Sequence, residues 1–252
     1  MIKFIILLMI SVSFSFGLTN EQIQKIQDVY TIGKNIKTSD GHTFEKTLVG
    51  IMGQESDWGD FFNYKNMAKE SQLKSPTSSI GDFQIQLATA QEVIKSNDIL
   101  LKKYGHMLYE GKTVYFKYEN NNKQLEYLKK IMYNGKLVSK AKSGDIKAQK
   151  KLKSAHESFT RLKKENITLL TNAEKDRRLI NNLLHNHKFS ADIAGHYLVN
   201  LYEDAKERKL SNPFTRSIGA YNGTWNNTAY TQLINKKINL FADLRKKGSL
   251  TF

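Results

Sequence analysis

A stretch of fifty residues without glycine or proline, from Asp145 to Ala194, constrains the fold of this chain more than any other feature. Glycine and proline are the residues that disfavour a helix interior most strongly. Apolar residues recur within the stretch at helical spacing and form narrow stripes, and its lysines lie elsewhere; the stripes are Leu152, Ala155, Phe159 and Leu162, then Leu179, Ile180, Leu183 and Leu184. The sequence therefore predicts long helices that each bury one side, in a mainly α chain.

The length and composition of the chain favour one enlarged domain. It has 252 residues, of which 40% are apolar and 11% aromatic, enough for one full-sized core. No Pro/Ser-rich linker and no internal repeat divides it. We expect a domain over residues 18–252, interrupted by an ordered, mostly helical insertion at about residues 95–188. Within the insertion, Tyr109-Glu110-Gly111-Lys112 between two apolar runs predicts a small β-hairpin.

Positive charge is concentrated in the insertion. The chain has a formal net charge of +15, and residues 91–190 contain 22 Lys/Arg against 10 Asp/Glu, a net charge of +12. Such an excess favours an anionic partner, which could be a cell-wall polymer, a lipid head group, a secretion apparatus or, less often, DNA. The alternative is an ordinary solvated helical surface.

The first seventeen residues are typical of a secretory signal peptide. A lysine at position 3 precedes the apolar run Phe4 to Ile10, and a small-residue ending follows at Ser15-Phe16-Gly17. A retained membrane anchor is the competing interpretation. The absence of cysteine excludes disulfides and lipid attachment through a thiol. We expect an exported protein, periplasmic or associated with the cell wall.

Thr43 to Gly59 contains the strongest candidate for a catalytic residue. Phe44, Leu48, Ile51, Met52 and Glu55 follow helical spacing, so that Glu55 continues an apolar face. A carboxyl group that loses water there has a raised pKa and keeps its proton near neutral pH, as a general acid must. The alternative is that Glu55 lies at a fraying helix end and points into water. Gly59 is the predicted stop signal for the helix.

Two further clusters contain residues suited to binding. Ser75-Pro76 leads through Gly81 to Gln84 and Thr89-Ala90, where Gly81 would let the backbone approach a ligand and Gln84 offers both a donor and an acceptor. Ala220-Tyr221-Asn222-Gly223 would place a phenol and a carboxamide at a helix end, after a helix that contains residues 192–202.

In their order along the chain and in their local sequence, these three clusters resemble the motifs of the soluble lytic transglycosylases of the goose-type-lysozyme-like superfamily. The family pattern runs Glu-Ser, then Ser-x-x-Gly-x-x-Gly-x-x-Gln with a following Thr-Ala, then Gly and Tyr-Leu on a helix, then Ala-Tyr-Asn-x-Gly. Here it corresponds to Glu55-Ser56, the Ser75 to Ala90 segment, Gly195 to Leu198 and Ala220 to Gly223. The resemblance covers residues 44–64, 75–94 and 190–230, under half of the mature chain, and implies a lysozyme-like α+β domain.

The chain departs from the family pattern at several positions that bear on substrate subsites. Ser78 stands where a glycine is usual, Asp82-Phe83 replaces Leu-Met, Gln86 takes an apolar place, and Gly223-Thr224 follows Tyr-Asn in place of Ala-Gly. The insertion is the largest departure, since the family needs only a short connection there.

The resemblance also implies a mechanism with a single glutamate and no metal or organic cofactor. Glu55 would protonate the oxygen between N-acetylmuramic acid and N-acetylglucosamine, and would then act as base on the sugar's own 6-hydroxyl to close a 1,6-anhydro ring. Tyr221 would hydrogen-bond and orient the Glu55 carboxyl group. Gln84, Ser75 and the Gly81 backbone would line the glycan subsites, with Ser56 and Asn222 as supports.

Two other classes of function stay open at this stage. A true lysozyme would use Asp57, Asp60 or Asp82 to position a water molecule. A non-catalytic component of the wall or of a secretion apparatus would keep the fold and use the basic insertion as its contact. The sequence does not distinguish wall turnover, division, secretion or a mobile element as the process served.

Overall fold

The computed structural model describes residues 18–59, 73, 75–248 and 250. Residues 1–17, where a signal peptide is predicted, and Asp60 lie outside the described residues. The described part is mainly helical, as predicted, with one two-stranded antiparallel sheet. Its elements are α1 (Asn20–Asn35), α2 (Glu45–Ser56), β1 (Ser79–Ile80), β2 (Ile85–Gln86), α3 (Leu87–Lys95), α4 (Asp98–Tyr104), a 3₁₀ turn (Gly105–Met107), α5 (Tyr115–Met132), α6 (Gly135–Lys142), α7 (Ile146–His185), α8 (His187–Glu207), α9 (Pro213–Tyr221) and α10 (Thr228–Lys246).

Helix α2 lies at the centre of the main core, packed against α1 and α10. Leu48, Val49, Ile51 and Met52 are fully buried there. At Gly50 the packing is so close that a Cβ atom would lie 2.8 Å from Ile238 Cγ1 of α10. The apolar periodicity of the sequence thus correctly predicted α2, a helix that is buried on several sides.

Helix α2 ends three residues before the glycine predicted to stop it. Asp57 adopts a left-handed conformation with φ of 49°, and its N–H bonds to the carbonyl of Met52. Ser56 is buried, donates its hydroxyl to the Met52 carbonyl and accepts from Gly59 N–H. These bonds satisfy backbone groups that the last turn of a helix leaves free.

Helix α7 joins two regions of different character. Its forty residues span about 60 Å at 1.5 Å per residue. Leu179, Ile180 and Leu183, near its C-terminal end, belong to the main core. The helix also packs against α5 and α6, and the buried residues of its N-terminal half are Ala148, Ala155 and Leu162.

The prediction of a β-hairpin near Tyr109 is wrong. The described sheet consists of β1 and β2, which pair Ser79 with Gln86 and Ile80 with Ile85. The segment after Tyr109 is a loop closed by the buried Asp176 of α7, whose Oδ2 accepts from the Tyr109 hydroxyl and from the N–H groups of Val114 and Tyr115. Because that carboxylate receives the first N–H groups of α5, the chain enters a helix there.

No helix in the described residues is both long and apolar enough to cross a lipid bilayer.

Candidate active site

Glu55 lies in the last turn of α2, half-buried at the edge of a cleft of about 440 Å³. The cleft is formed by the end of α2, the β1–β2 hairpin, the start of α3, a tyrosine of α8 and the end of α9. Its described lining residues are Glu55, Ser79, Phe83, Gln84, Ile85, Gln86, Thr89, Tyr197, Tyr221, Asn222 and Gly223. Glu55 is the only carboxylic acid among them.

The environment of Glu55 favours its protonated form. Burial raises the pKa of the carboxyl group, and a hydrogen bond from Tyr230 partly opposes that shift. The net direction is upward from the ordinary value of a glutamate. The alternative that Glu55 points freely into water does not hold in the structure.

Tyr230 of α10 donates its hydroxyl to Glu55 Oε1 at 2.6 Å. Burial and the neighbouring Glu55 raise the pKa of this phenol far above its ordinary value, so it remains a donor at every working pH. Tyr230 is itself buried in the main core, which fixes its ring. The carboxyl group is therefore held at one oxygen by a rigid donor.

The predicted hydrogen bond from Tyr221 to Glu55 is wrong. The Tyr221 hydroxyl donates instead to the carbonyl oxygen of Phe83 at 2.9 Å, which ties the end of α9 to the hairpin. Its ring lies 5.4 Å from that of Tyr197, centre to centre, and both side chains line the cleft. Tyr221 thus supports one wall of the site, and the residue that orients Glu55 is Tyr230.

Tyr230 carried a weak signal in the sequence. It shares a face of α10 with Ile234 and Phe241, which are also buried, at spacings of four and seven. That periodicity predicts a core residue and does not distinguish a tyrosine whose hydroxyl reaches a carboxyl group 175 positions earlier in the chain.

The close approach at Gly81 is to the protein itself. Its φ is +74°, and a Cβ atom would lie 1.9 Å from the carbonyl oxygen of Leu183, near the end of α7. The same carbonyl accepts a hydrogen bond from the Ser190 hydroxyl. Gly81 is not among the described lining residues of the cleft, and it brings the hairpin against the end of α7.

Gln84 and Asn222 both line the cleft, as expected of binding residues. The Gln84 side chain donates to the Gly81 carbonyl at 2.9 Å, which leaves its amide oxygen as an acceptor. The Asn222 amide oxygen accepts from Asn227 at 3.2 Å. These bonds fix both carboxamides at the rim.

Ser75 and Ser56 lie outside the described lining of the cleft. The Ser75 hydroxyl pairs with that of Thr77, and its N–H donates to the Ser78 hydroxyl, so it organises its own turn. Ser56 is committed to the end of α2, as described above.

A second cavity of about 330 Å³ borders Glu55 and is lined by Gly53, Gln54, Glu55, Asp57 and Lys237. Asp57 is exposed, and its carboxylate pairs with Lys237 Nζ at 3.0 Å. Asp82, the other described candidate for a lysozyme-type carboxylate, is buried and lines neither cavity. No three His, Cys, Asp or Glu side chains of the described residues converge as metal ligands.

Comparison with known proteins returned no match to this chain among family models, curated proteins or solved structures.

Proposed function

We propose that this chain is a lytic transglycosylase that cleaves the β-1,4 bond between N-acetylmuramic acid and N-acetylglucosamine in peptidoglycan. The observation that carries the proposal is the isolated, half-buried Glu55 at the cleft, with a raised pKa and a hydrogen bond from Tyr230. The motif resemblance supplies the substrate class, and the geometry supports the chemistry.

In the first step, Glu55 donates its proton to the glycosidic oxygen while the bond from that oxygen to the anomeric carbon breaks. The carboxylate that forms keeps its hydrogen bond from Tyr230, which stabilises the new charge. Tyr197 and Tyr221 present aromatic surface along the cleft, suited to packing against sugar rings.

In the second step, the Glu55 carboxylate accepts the proton of the 6-hydroxyl of the muramoyl sugar, whose oxygen bonds to the anomeric carbon. This closes the 1,6-anhydro ring and returns the glutamic acid to its starting form. Hydrolytic glycosidases usually place a second carboxyl group within about 5–10 Å of the acid. The main cleft has no second acid among its described lining residues, which favours the single-glutamate route.

A lysozyme is the second candidate, favoured by one observation. Asp57 lines the smaller cavity that Glu55 also borders, so water could be activated on that side. Asp57 is exposed, its carboxylate is held in an ion pair with Lys237, and it is not among the described lining residues of the main cleft, which makes this the less favoured reaction.

Digestion of purified peptidoglycan in isotopically labelled water, followed by mass spectrometry of the muropeptides, separates the two reactions. A transglycosylase yields anhydro ends that are lighter by one water and carry no label. A lysozyme yields reducing ends that carry the label. No release of fragments would overturn both and leave the non-catalytic reading.

A further inference from the structure

The far end of the insertion is a three-helix region that we call the basic knob, residues 129–153. It comprises the end of α5, all of α6 and the first turns of α7. It contains nine lysines against one acidic residue, a net charge of +8, and all nine lysines are exposed.

The charge of the basic knob is not neutralised locally. Among the described residues, Lys129 is its only lysine in an ion pair, with Glu126 at 2.7 Å. Its single acid, Asp145, caps α7 by accepting from the N–H groups of Lys147 and Ala148. The remaining lysines form an open cationic surface.

A groove of about 410 Å³ lies between the helices of the basic knob. Four lysines surround it, with Ile131 and Leu137 as its apolar part: the lining is Lys130, Ile131, Asn134, Lys136, Leu137, Lys140 and Lys151. Helix α6, which forms one side, has no buried residue at all. Its apolar side chains are thus only partly covered by the protein.

Two large apolar side chains also project from the basic knob. Tyr133, at the junction of α5 and α6, is 81% exposed, and Ile146, at the start of α7, is 66% exposed. Exposed aliphatic residues among many cations gain little from a hydrated polyanionic polymer. A lipid interface accommodates both, since phosphates meet the lysines and the tyrosine and isoleucine enter the head-group region.

We propose that the basic knob docks onto an anionic phospholipid membrane. The groove lysines pair with lipid phosphates, and Tyr133 and Ile146 anchor the contact. Leu183, against which the cleft's β1–β2 hairpin lies at Gly81, follows Lys151 by 32 residues of one helix. Helix α7 therefore places the hairpin about 50 Å along its axis from the docked end. This inference goes beyond the proposed reaction and does not depend on it.

The test is sedimentation of the full chain with vesicles of equal parts phosphatidylglycerol and phosphatidylcholine, compared with phosphatidylcholine alone, at about 0.15 M salt. We expect binding to the anionic vesicles. The variant K130Q/K136Q/K140Q/K151Q should bind roughly 600-fold more weakly, since each of its four basic residues near an anionic leaflet contributes about fivefold. Contributions from the apolar N-terminal run are common to all variants and are measured with the neutral vesicles.

The matched control is K34Q/K46Q/K246Q/K247Q, which removes four exposed lysines from α1, α2 and the end of α10. It should bind within about twofold of the wild type, because charges beyond a Debye length from the bilayer are screened. An equal loss in both quadruple variants would overturn the proposal, since net charge alone would then explain binding.

The second variant, Tyr133→Ser with Ile146→Ser, separates lipid from polymer. Both positions are exposed, so the substitutions should leave the fold intact, which circular dichroism checks. We expect about tenfold weaker vesicle binding and unchanged retention on purified sacculi. If this variant binds vesicles as the wild type does, while the groove variant loses retention on sacculi, the partner is a wall polymer and the lipid proposal is wrong.

Discussion

The cleft and the basic knob use charge in opposite ways. At the cleft a single carboxyl group is half-buried and held by the hydroxyl of Tyr230, and burial moves its pKa upward. In the basic knob nine lysines face solvent, with one ion pair among them in the described residues. A desolvated charge can take part in chemistry because its protonation is tuned, whereas exposed charges act on binding and are weakened by salt.

The two regions also differ in how they are packed, and they meet at the end of α7. Leu179 and Leu183 belong to the main core, and the Leu183 carbonyl lies against the hairpin at Gly81. Asp176, one turn before Leu179, receives hydrogen bonds from Gln91 of α3 and from the loop before α5. The C-terminal part of α7 is therefore a brace for the cleft, whereas the basic knob at its other end is free to bind elsewhere.

The largest expected effect is loss of activity in Glu55→Gln. The change keeps shape and hydrogen bonding but removes the transferable proton, so glycan cleavage should fall by at least about 10²–10⁴-fold. Release of muropeptides from purified peptidoglycan measures it, with circular dichroism to check the fold. Glu207→Gln, an exposed position at the end of α8, is the control and should be fully active. Wild-type activity in Glu55→Gln would remove Glu55 from the mechanism.

The next effect concerns the junction of the two regions. Gly81→Ala should lower the free energy of unfolding by about 2–4 kcal/mol, because the new Cβ meets the Leu183 backbone and φ is positive. Gly41→Ala is the matched control, since its φ is +87° and nothing lies within 4 Å of the added atom. It should cost about 1 kcal/mol from backbone strain alone. Urea denaturation of both variants gives the difference, and equal costs would mean that the hairpin does not rest on α7.

A smaller effect is expected when the two tyrosines of the site are compared. Tyr230→Phe removes the bond that favours the carboxylate, so the pKa of Glu55 rises further and the alkaline limb of the pH–rate profile moves to higher pH. The rate should fall roughly 10–100-fold, equivalent to about 1.5–3 kcal/mol for a hydrogen bond to a charged group.

Tyr221→Phe loses a bond to the Phe83 carbonyl and should leave that limb in place. The pH–rate profiles of Tyr221→Phe and Tyr230→Phe, measured side by side on a soluble glycan, show which tyrosine orients Glu55. A shift in Tyr221→Phe without one in Tyr230→Phe would restore the assignment made from the sequence.

The sequence predicted local structure well where one helix face determined it. The periodicity through Leu48 and Met52 located α2 and brought Glu55 to the edge of the core. The absence of glycine and proline predicted the long α7 and the start of α8, although the break at Asn186 carries no such signal.

Contacts between distant segments were not predictable in the same way. Tyr230 reaches Glu55 from 175 positions away in the chain, and its helical spacing predicts only a core residue. Gly81 indicated a close approach, but the pattern does not say whether a ligand or Leu183 lies there. The loop at Tyr109 resembles a hairpin locally, and it is a buried aspartate on α7 that turns it into a helix start.

The smallest expected effect sharpens the comparison most, because it is an absence of change in one region after a large change in the other. In K130Q/K136Q/K140Q/K151Q four charges are lost at the far end of α7, and the nearest cleft wall is reached only after about 30 residues of helix. Screening removes interactions beyond about 8–10 Å at physiological salt, so the pKa of Glu55 and the chemical step should not respond. Cleavage of small soluble glycan fragments should therefore stay within about twofold of the wild type, with an unchanged pH profile.

The same variant should lose vesicle binding, so the two assays on one protein preparation separate attachment from chemistry. A parallel fall in soluble-fragment turnover, with the fold intact by circular dichroism, would mean that the basic knob communicates with the cleft through α7 and that the two regions are one functional unit.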